Sequence, residues 1–205
     1  LQKRNLLPST PPDIFPYNRD PQRANIVVTN FPDSVVDWIV VEFRRTYTDP
    51  NPIVYTCFLR TDGSIIGRNG EYPLSQKQIR FDSGKADYFV AILHRNHLAV
   101  ITEEPVNLRD SIAAKLDFTR SELVMGRESS MKPLAKTIDD EIIFGLFAGD
   151  VNSDGVIDIF DQDDIWLNRD LEGYLVWDVS LSGIITTRDL NFAFNNRNRK
   201  TLVPK

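Results

Sequence analysis

The chain has 205 residues, 41% of them hydrophobic and 10% aromatic, enough to bury one good core, or one core and a small satellite. A net charge of −5 and an isoelectric point near 5.1 exclude the basic face that a nucleic-acid partner requires. No stretch approaches the roughly 20 apolar residues of a membrane-spanning helix, so no transmembrane segment is expected.

The first residues, Leu1-Gln2-Lys3-Arg4, carry neither an initiator Met nor an apolar signal core. Either a targeting segment has been removed or the chain starts inside a longer one. Residues 1–24 hold Pro8, Pro11, Pro12, Pro16 and Pro21, which exclude a helix and most ladder pairing and predict an extended arm. From residue 25 the texture turns to β. Runs at 26–28, 35–44, 53–59, 64–66 and 88–93 are rich in branched and aromatic residues. Turn signals at Phe31-Pro32-Asp33, Asp49-Pro50-Asn51-Pro52, Asp62-Gly63 and Asp82-Ser83-Gly84 separate them. Short strands at this spacing predict an immunoglobulin-like β-sandwich over 25–120. The run 88–101 reads as two strands folded about Arg95-Asn96, and the sandwich closes with 106–108 and 115–119. The single cysteine, Cys57, lies in a strand-like run; it excludes an internal disulfide and reads as a small buried hydrophobe. Residues 121–147 read as a connecting segment, 148–198 as a small second region, and 199–205 as a tail. The basic Arg197-Asn198-Arg199-Lys200 stretch reads as a solvated terminus.

The second region opens on Asp150, Asn152, Asp154, Gly155, Val156, Asp158 and Asp161, the D-x-N-x-D-G calcium loop. Calcium takes six to eight hard oxygens, so carboxylates and amides at positions 1, 3 and 5 must converge from one tight turn. Gly155 permits the turn, Val156 offers its backbone carbonyl, Asp158 acts directly or through water, and Asp161 at position 12 closes the sphere. A metal-free acidic turn would hold three carboxylates together with nothing to offset their repulsion. Asp at position 12, and an extended segment rather than a helix upstream, point to a dockerin-like loop followed by one helix, here residues 162–169. A duplicate follows 28 residues later at Asp178, Ser180, Ser182, Gly183, Ile184 and Asp189, with its helix at 190–196. Ile165 and Trp166 align with Ala193 and Phe194 as the expected packing residues between the helices. Ser180 and Ser182 replace the ligands at positions 3 and 5, so this loop is a weak site or a relic that keeps only the fold. One Ca2+ is expected in the first loop, a second remains open, and the metal requires the plentiful calcium of the cell exterior.

Taken in order, Val36-Asp37-Trp38, Glu42-Phe43-Arg44, Leu59 to Gly63, His94-Arg95-Asn96-His97-Leu98, Asp117-Phe118-Thr119 and the Gly149–Gly155 loop resemble a module from the C-terminal parts of large secreted and surface proteins of Bacteroidota and relatives. Leu6-Leu7-Pro8 with Pro16-Tyr17 is similar to that family's lead-in. The resemblance implies export, a surface or extracellular setting, and no enzymatic activity. The weakened second loop departs from the pattern, and the 205 residues do not include a terminal sorting domain. Asp33-Ser34-Val35 and Asp110-Ser111-Ile112 resemble the short O-glycosylation signal of that phylum, making Ser34 and Ser111 low-grade candidates.

Three function classes follow. The first is a structural unit that self-associates, as a filament or oligomer, through an arm apolar at Leu6-Leu7 and Ile14-Phe15 that docks on the next copy; an arm lying on its own domain is the plain alternative. The second is a binding module for a cohesin-like protein or a glycan, although Trp38 sits in the most apolar strand and reads as core. An enzyme is disfavoured, because the acids cluster in calcium loops rather than as a catalytic pair. The only histidines, His94 and His97, make a poor zinc site without a nearby Cys and read as flanking a hairpin tip.

Overall fold

The apolar run at residues 35–44 becomes strand β1 (Val35–Arg44), buried along almost its whole length, as expected for a strand covered on both faces. The computed structural model describes residues 5–32, 34–67, 86–108 and 114–205. Within them β1 is flanked by β2 (Ile53–Arg60) and β4 (Asp87–His94), with β3 (Ile65–Ile66) and β5 (His97–Ile101) outside these. The order is β3-β2-β1-β4-β5, with β6 (Val106–Asn107) also on β4, and every pairing is antiparallel. A two-stranded sheet pairs β7 (Lys132–Lys136) with β8 (Ile142–Gly145). The protein is mainly β with antiparallel sheets. The tight turn expected at Asp62-Gly63 forms, with Gly63 at φ 78° and the Asp62 carboxylate accepting from the Ser64 N–H at 3.0 Å. The turn at 82–84 lies outside the described residues.

Two runs expected as strands are not strands. Val28 donates its N–H to the Ser9 carbonyl at 2.8 Å, so residues 26–28 bond the arm instead of the sheet. In 115–119 the Asp117 carboxylate takes both the N–H and the hydroxyl of Thr119, a local turn that competes with a ladder. Conversely, β7 arises in the supposed connecting segment. Its Pro133 disguises it, since proline is tolerated where a strand lies at an edge or bulge, and the register shifts between Pro133 and Ala135.

Alternation along β1 feeds two cores. Trp38 and Val40 join Leu7, Tyr17, Ile26, Phe58 and Val203 on one face, while Ile39, Val41 and Phe43 join Cys57, Met131 and Phe144 on the other. Trp38 is fully buried, stacked 4.6 Å from Phe58, and Cys57 is the buried hydrophobe expected of it. The first face is covered by both chain ends. The arm takes the plain alternative and lies on its own domain, and it is not extended throughout: two single 3-10 turns, Tyr17–Arg19 and Arg23–Asn25, interrupt it. The Trp38 indole donates to the Pro8 carbonyl at 3.0 Å, and the Thr56 N–H donates to Asp20 at 2.9 Å. The face that a neighbour's arm would occupy is thus filled by the chain's own. Arg197–Lys200 are exposed, as expected of a solvated stretch, whereas the tail beyond them packs on the same face. Val203 is core, Thr201 donates to the Ala99 carbonyl at 2.7 Å, and buried Arg44 donates to the Pro204 carbonyl at 3.0 Å. Charge drew attention to the exposed Arg197–Lys200 stretch; the apolar Val203 behind it carries the packing.

A third core, Leu98, Phe147, Val151, Ile157, Ile165, Val179, Ile185 and Ala193, belongs to the duplicated region. Its helices are α1 (Ile159–Leu167) and α2 (Thr187–Asn195), starting three residues earlier than expected because the loop acids double as caps. Asp158 and Thr186 are N-caps, and Asp161 and Asp189 complete capping boxes, each satisfying orphan N–H groups of the first turn. The repeat is close in the backbone. Ser153 and Leu181 sit at φ 60° and 57°, Gly155 and Gly183 at 90° and 87°, Asp170 and Asn198 at 69° and 67°. The halves also cross. Ile157 N–H donates to the Arg199 carbonyl after α2, and Ile185 N–H donates to the Leu171 carbonyl after α1, at 2.8 and 3.0 Å.

Gly149, at φ 131°, lies where a Cβ would come 2.8 Å from the Ala193 Cα. Gly149→Ala is expected to cost about 2–3 kcal/mol, measured by urea denaturation.

Candidate metal centre

In the first loop Asp150 and Asp161 are buried and Asn152 and Asp154 exposed. The turn is built by side chains bonding backbone two residues on: Asn152 Oδ1 accepts from Asp154 N–H at 2.9 Å, and Asp154 Oδ1 from Val156 N–H at 2.8 Å. Asp161 reaches back across the loop to accept from the Val151 N–H at 2.8 Å and the Asp158 N–H at 2.9 Å. Asp150 accepts from the Gly155 N–H at 3.4 Å. Such loops arise because Asx side chains hold tight turns by bonding nearby backbone N–H groups. The Asp158 carboxylate caps α1, its Oδ1 accepting from the Phe160 N–H at 2.8 Å. The Val156 carbonyl accepts no hydrogen bond among the described residues.

Burial, with the Asp161 and Asp154 charges beside it, pushes the Asp150 carboxyl up to about 7. Burial also raises Asp161. Two desolvated like charges are an electrostatic cost, which the Lys205 charge acting on Asp150 offsets only in part. Among the described residues no three His, Cys, Asp or Glu side chains converge as a ready-made cluster. A metal in this loop would draw on a mixed set that is not gathered in advance: the Asp150, Asp154 and Asp161 carboxylates, the Asn152 amide oxygen and the Val156 carbonyl. That all-oxygen chemistry fits calcium.

The second loop is closed by protein groups. Asp178 accepts from Gly183 N–H at 2.7 Å and Ser182 N–H at 2.9 Å, and Asp189 from Ser180 N–H at 2.8 Å. The Ser182 hydroxyl donates to the Ile184 carbonyl at 2.9 Å, the backbone oxygen that a metal in this loop would share. Burial raises the Asp178 carboxyl, while Arg95 acts on it in the opposite sense. Each loop has one side-chain cation acting on its first acid, Arg95 on Asp178 and Lys205 on Asp150, and the Lys205 ammonium also donates to the Ser153 carbonyl at 2.9 Å.

Arg95 belongs to a junction that sequence reading missed. Its guanidinium, fully buried, bonds Asp37 at 3.1 and 3.2 Å, stacks 4.3 Å over Tyr174 and donates to the Leu175 carbonyl. Asn96 donates to the carbonyls of Val176 and Asp178 at 2.8 and 2.9 Å and accepts from Gly149 N–H at 2.9 Å. The Arg95-Asn96 turn thereby clamps the sheet to both loops. His94 shares a hydrogen bond with Asp37 at 3.2 Å and one with His97 at 3.0 Å, the structural role expected at the hairpin tip. Burial would raise the Asp37 carboxyl, but Arg95 and His94 outweigh it and hold it well below the usual carboxylate range. The signal available in the sequence was a lone Asp inside an apolar strand.

Trp166 and Phe194, expected between the helices, are 47% and 49% exposed, leaving Ile165 and Ala193 to pack there. Each instead carries an arginine, Arg169 and Arg197, at 4.2 and 4.3 Å. Ser34 accepts a hydrogen bond from Arg60 at 2.9 Å, whereas Asp33 and Ser111 lie outside the described residues.

No family model and no curated protein matches the chain. Among solved structures, a chain from the crystal structure of a type II cohesin–X–dockerin complex of Acetivibrio cellulolyticus, an N-terminal interface mutant, is similar over 80% of this chain and 82% of its own. The identity is 16% and the TM-score 0.42. A likeness that distant establishes no shared function. No helix among the described residues is long and apolar enough to cross a membrane.

Proposed function

We propose that the chain is a non-catalytic extracellular assembly module. An immunoglobulin-like β domain, of the kind carried by the Bacteroidota surface proteins it resembles, is joined to a dockerin-like region organised by one calcium ion in residues 150–161. The observation that supports it most is the buried Asp150–Asp161 pair, two desolvated carboxylates on a tight turn that also carries the exposed Asp154 carboxylate, an amide oxygen and a carbonyl. The ion supplies positive charge there and nothing else; the chain's own residues set the turn, cap the helices and hold the carboxylates in place. A structural role is also supported by how the buried charges are used. Asp37 is bound to Arg95, and Glu42 to Arg19 and Arg44, which ties the strands, arm and tail together. A cavity of about 370 Å³ beside the first loop has Arg19 and Arg44 in its wall, and these are the two guanidinium groups already bound to Glu42.

Calorimetric titration of metal-stripped protein is expected to show one strong calcium site per chain. Asp161→Asn should weaken it at least about tenfold, while Ser182→Ala leaves it unchanged. Absence of heat with the parent protein, or an unaltered isotherm with Asp161→Asn, overturns the calcium reading.

A further inference from the structure

The duplication supplies an internal reference for what the fold needs on each helix. Asp161 and Asp189, Ile165 and Ala193, and the aromatic–arginine pairs Trp166–Arg169 and Phe194–Arg197 recur in both halves. At the remaining outward positions the halves diverge. Ile159, Phe160 and Leu167 of α1, exposed by 57%, 67% and 75%, stand where α2 has Thr187, Arg188 and Asn195. Since α2 folds with polar residues there, the apolar ones on α1 are not required by the fold, and leaving them in water is unfavourable. Acids surround them: exposed Asp163 and Asp170 and half-buried Asp164. The matching arc of α2 has Asn191, Phe192 and Asn198 in place of those three acids, and Arg188 lies 5.8 Å over the partly exposed Phe192, so its charge is positive where that of α1 is negative.

We propose that the acidic, apolar α1 face of one copy docks on the basic, aromatic α2 face of a second copy of this chain. The inference rests on the chain being an assembly unit, and not on bound calcium. Opposite charge on the two faces orients the contact and disfavours α1 against α1. Because the faces lie on different helices, each docked copy leaves one of each free. The contact is head-to-tail and, where the rotation does not close, open-ended. It uses neither the arm nor the sheet, both of which are already covered.

Sedimentation velocity over a hundredfold concentration range tests this with the full chain. The parent is expected to grow in mass with concentration and to shrink as salt screens the faces. Asp163→Lys with Asp164→Lys makes both faces basic, and Arg188→Glu with Asn195→Glu makes both acidic. Each double variant alone should associate at least about tenfold more weakly than the parent, and an equimolar mixture of the two should regain association. Phe160→Ser should weaken association without changing charge. Circular dichroism should be unchanged throughout and each variant should still take up one calcium, more weakly where lysines stand near the first loop, so a failed titration beside intact association removes the metal and not the docking. A parent that stays monomeric, a closed dimer that does not grow, double variants that associate like the parent, or a mixture that stays apart overturns the proposal. A monomeric parent whose α1 face binds some other protein overturns it as well.

Discussion

Metal-stripped protein returned to calcium at pH 8 is expected to gain roughly 2.7 kcal/mol when free calcium stands about 100-fold above the dissociation constant. For a chain of this size that is a rise in Tm of about 5–10 °C. The size of the gain should depend on pH in a direction set by Asp150. Burial and Asp161 raise its carboxyl to about 7 in the folded, metal-free protein, against about 4 in the unfolded chain. An acid whose folded value is raised binds more protons folded than unfolded. The metal-free protein is therefore expected to lose stability as pH climbs from about 4 towards 7, on the order of 4 kcal/mol from this group. Calcium displaces that proton, so its affinity should fall as pH drops below about 7. Melts at pH 6 and pH 8, with calcium and with a chelator, separate the contributions. A calcium-induced shift equal at both pH values would remove Asp150 from the site.

Arg95→Ala is expected to cost about 3–5 kcal/mol, because it leaves the Asp37 carboxylate buried without its principal partner. Three contacts go with it: the stack on Tyr174, the bond to the Leu175 carbonyl and the nearby positive charge acting on Asp178. In the parent, Asp37 has a depressed folded pKa. Its stabilisation is complete above about pH 4 and is lost only as pH falls through the lower folded value. Without Arg95, burial dominates and raises that carboxyl, so the variant should recover part of its deficit on acidification. Chemical denaturation at pH 5 and pH 7.5 gives both quantities. Asp37→Asn with Arg95→Met should be less damaging than Arg95→Ala, since no unpaired charge then remains. A cost below about 1 kcal/mol for Arg95→Ala would make the junction incidental.

What the sequence disclosed depended on whether each contact is local. β1, β2, β4 and the Asp62-Gly63 turn could be read because alternation, turn chemistry and burial agree over a few residues. The spacing of Asp150, Asn152, Asp154 and Asp161 was legible for the same reason, since a loop of that kind closes on itself. The helix starts were misplaced because Asp158 and Thr186 serve as caps inside what reads as loop. The Asp37–Arg95 pair spans 58 positions of sequence, and no local pattern reports such a contact. Nor does any reveal that Tyr17 donates to the Trp38 carbonyl, or that Arg44 holds Pro204. Proline content spoke for an extended arm and left open what it lies on, yet its own Leu7 and Tyr17, with Ile26 just after it, are buried; composition describes what a segment cannot form, not where it docks.

The exchanged backbone bonds, Ile157 to the exit of α2 and Ile185 to the exit of α1, make neither half a self-sufficient unit. On the calcium reading, an ion held by the first loop would brace both halves through the shared ties, so Ser180 and Ser182 in the second loop leave the fold supported. Asymmetric decay of a repeat, rather than loss of the whole region, is the evolutionary course that such interlacing permits.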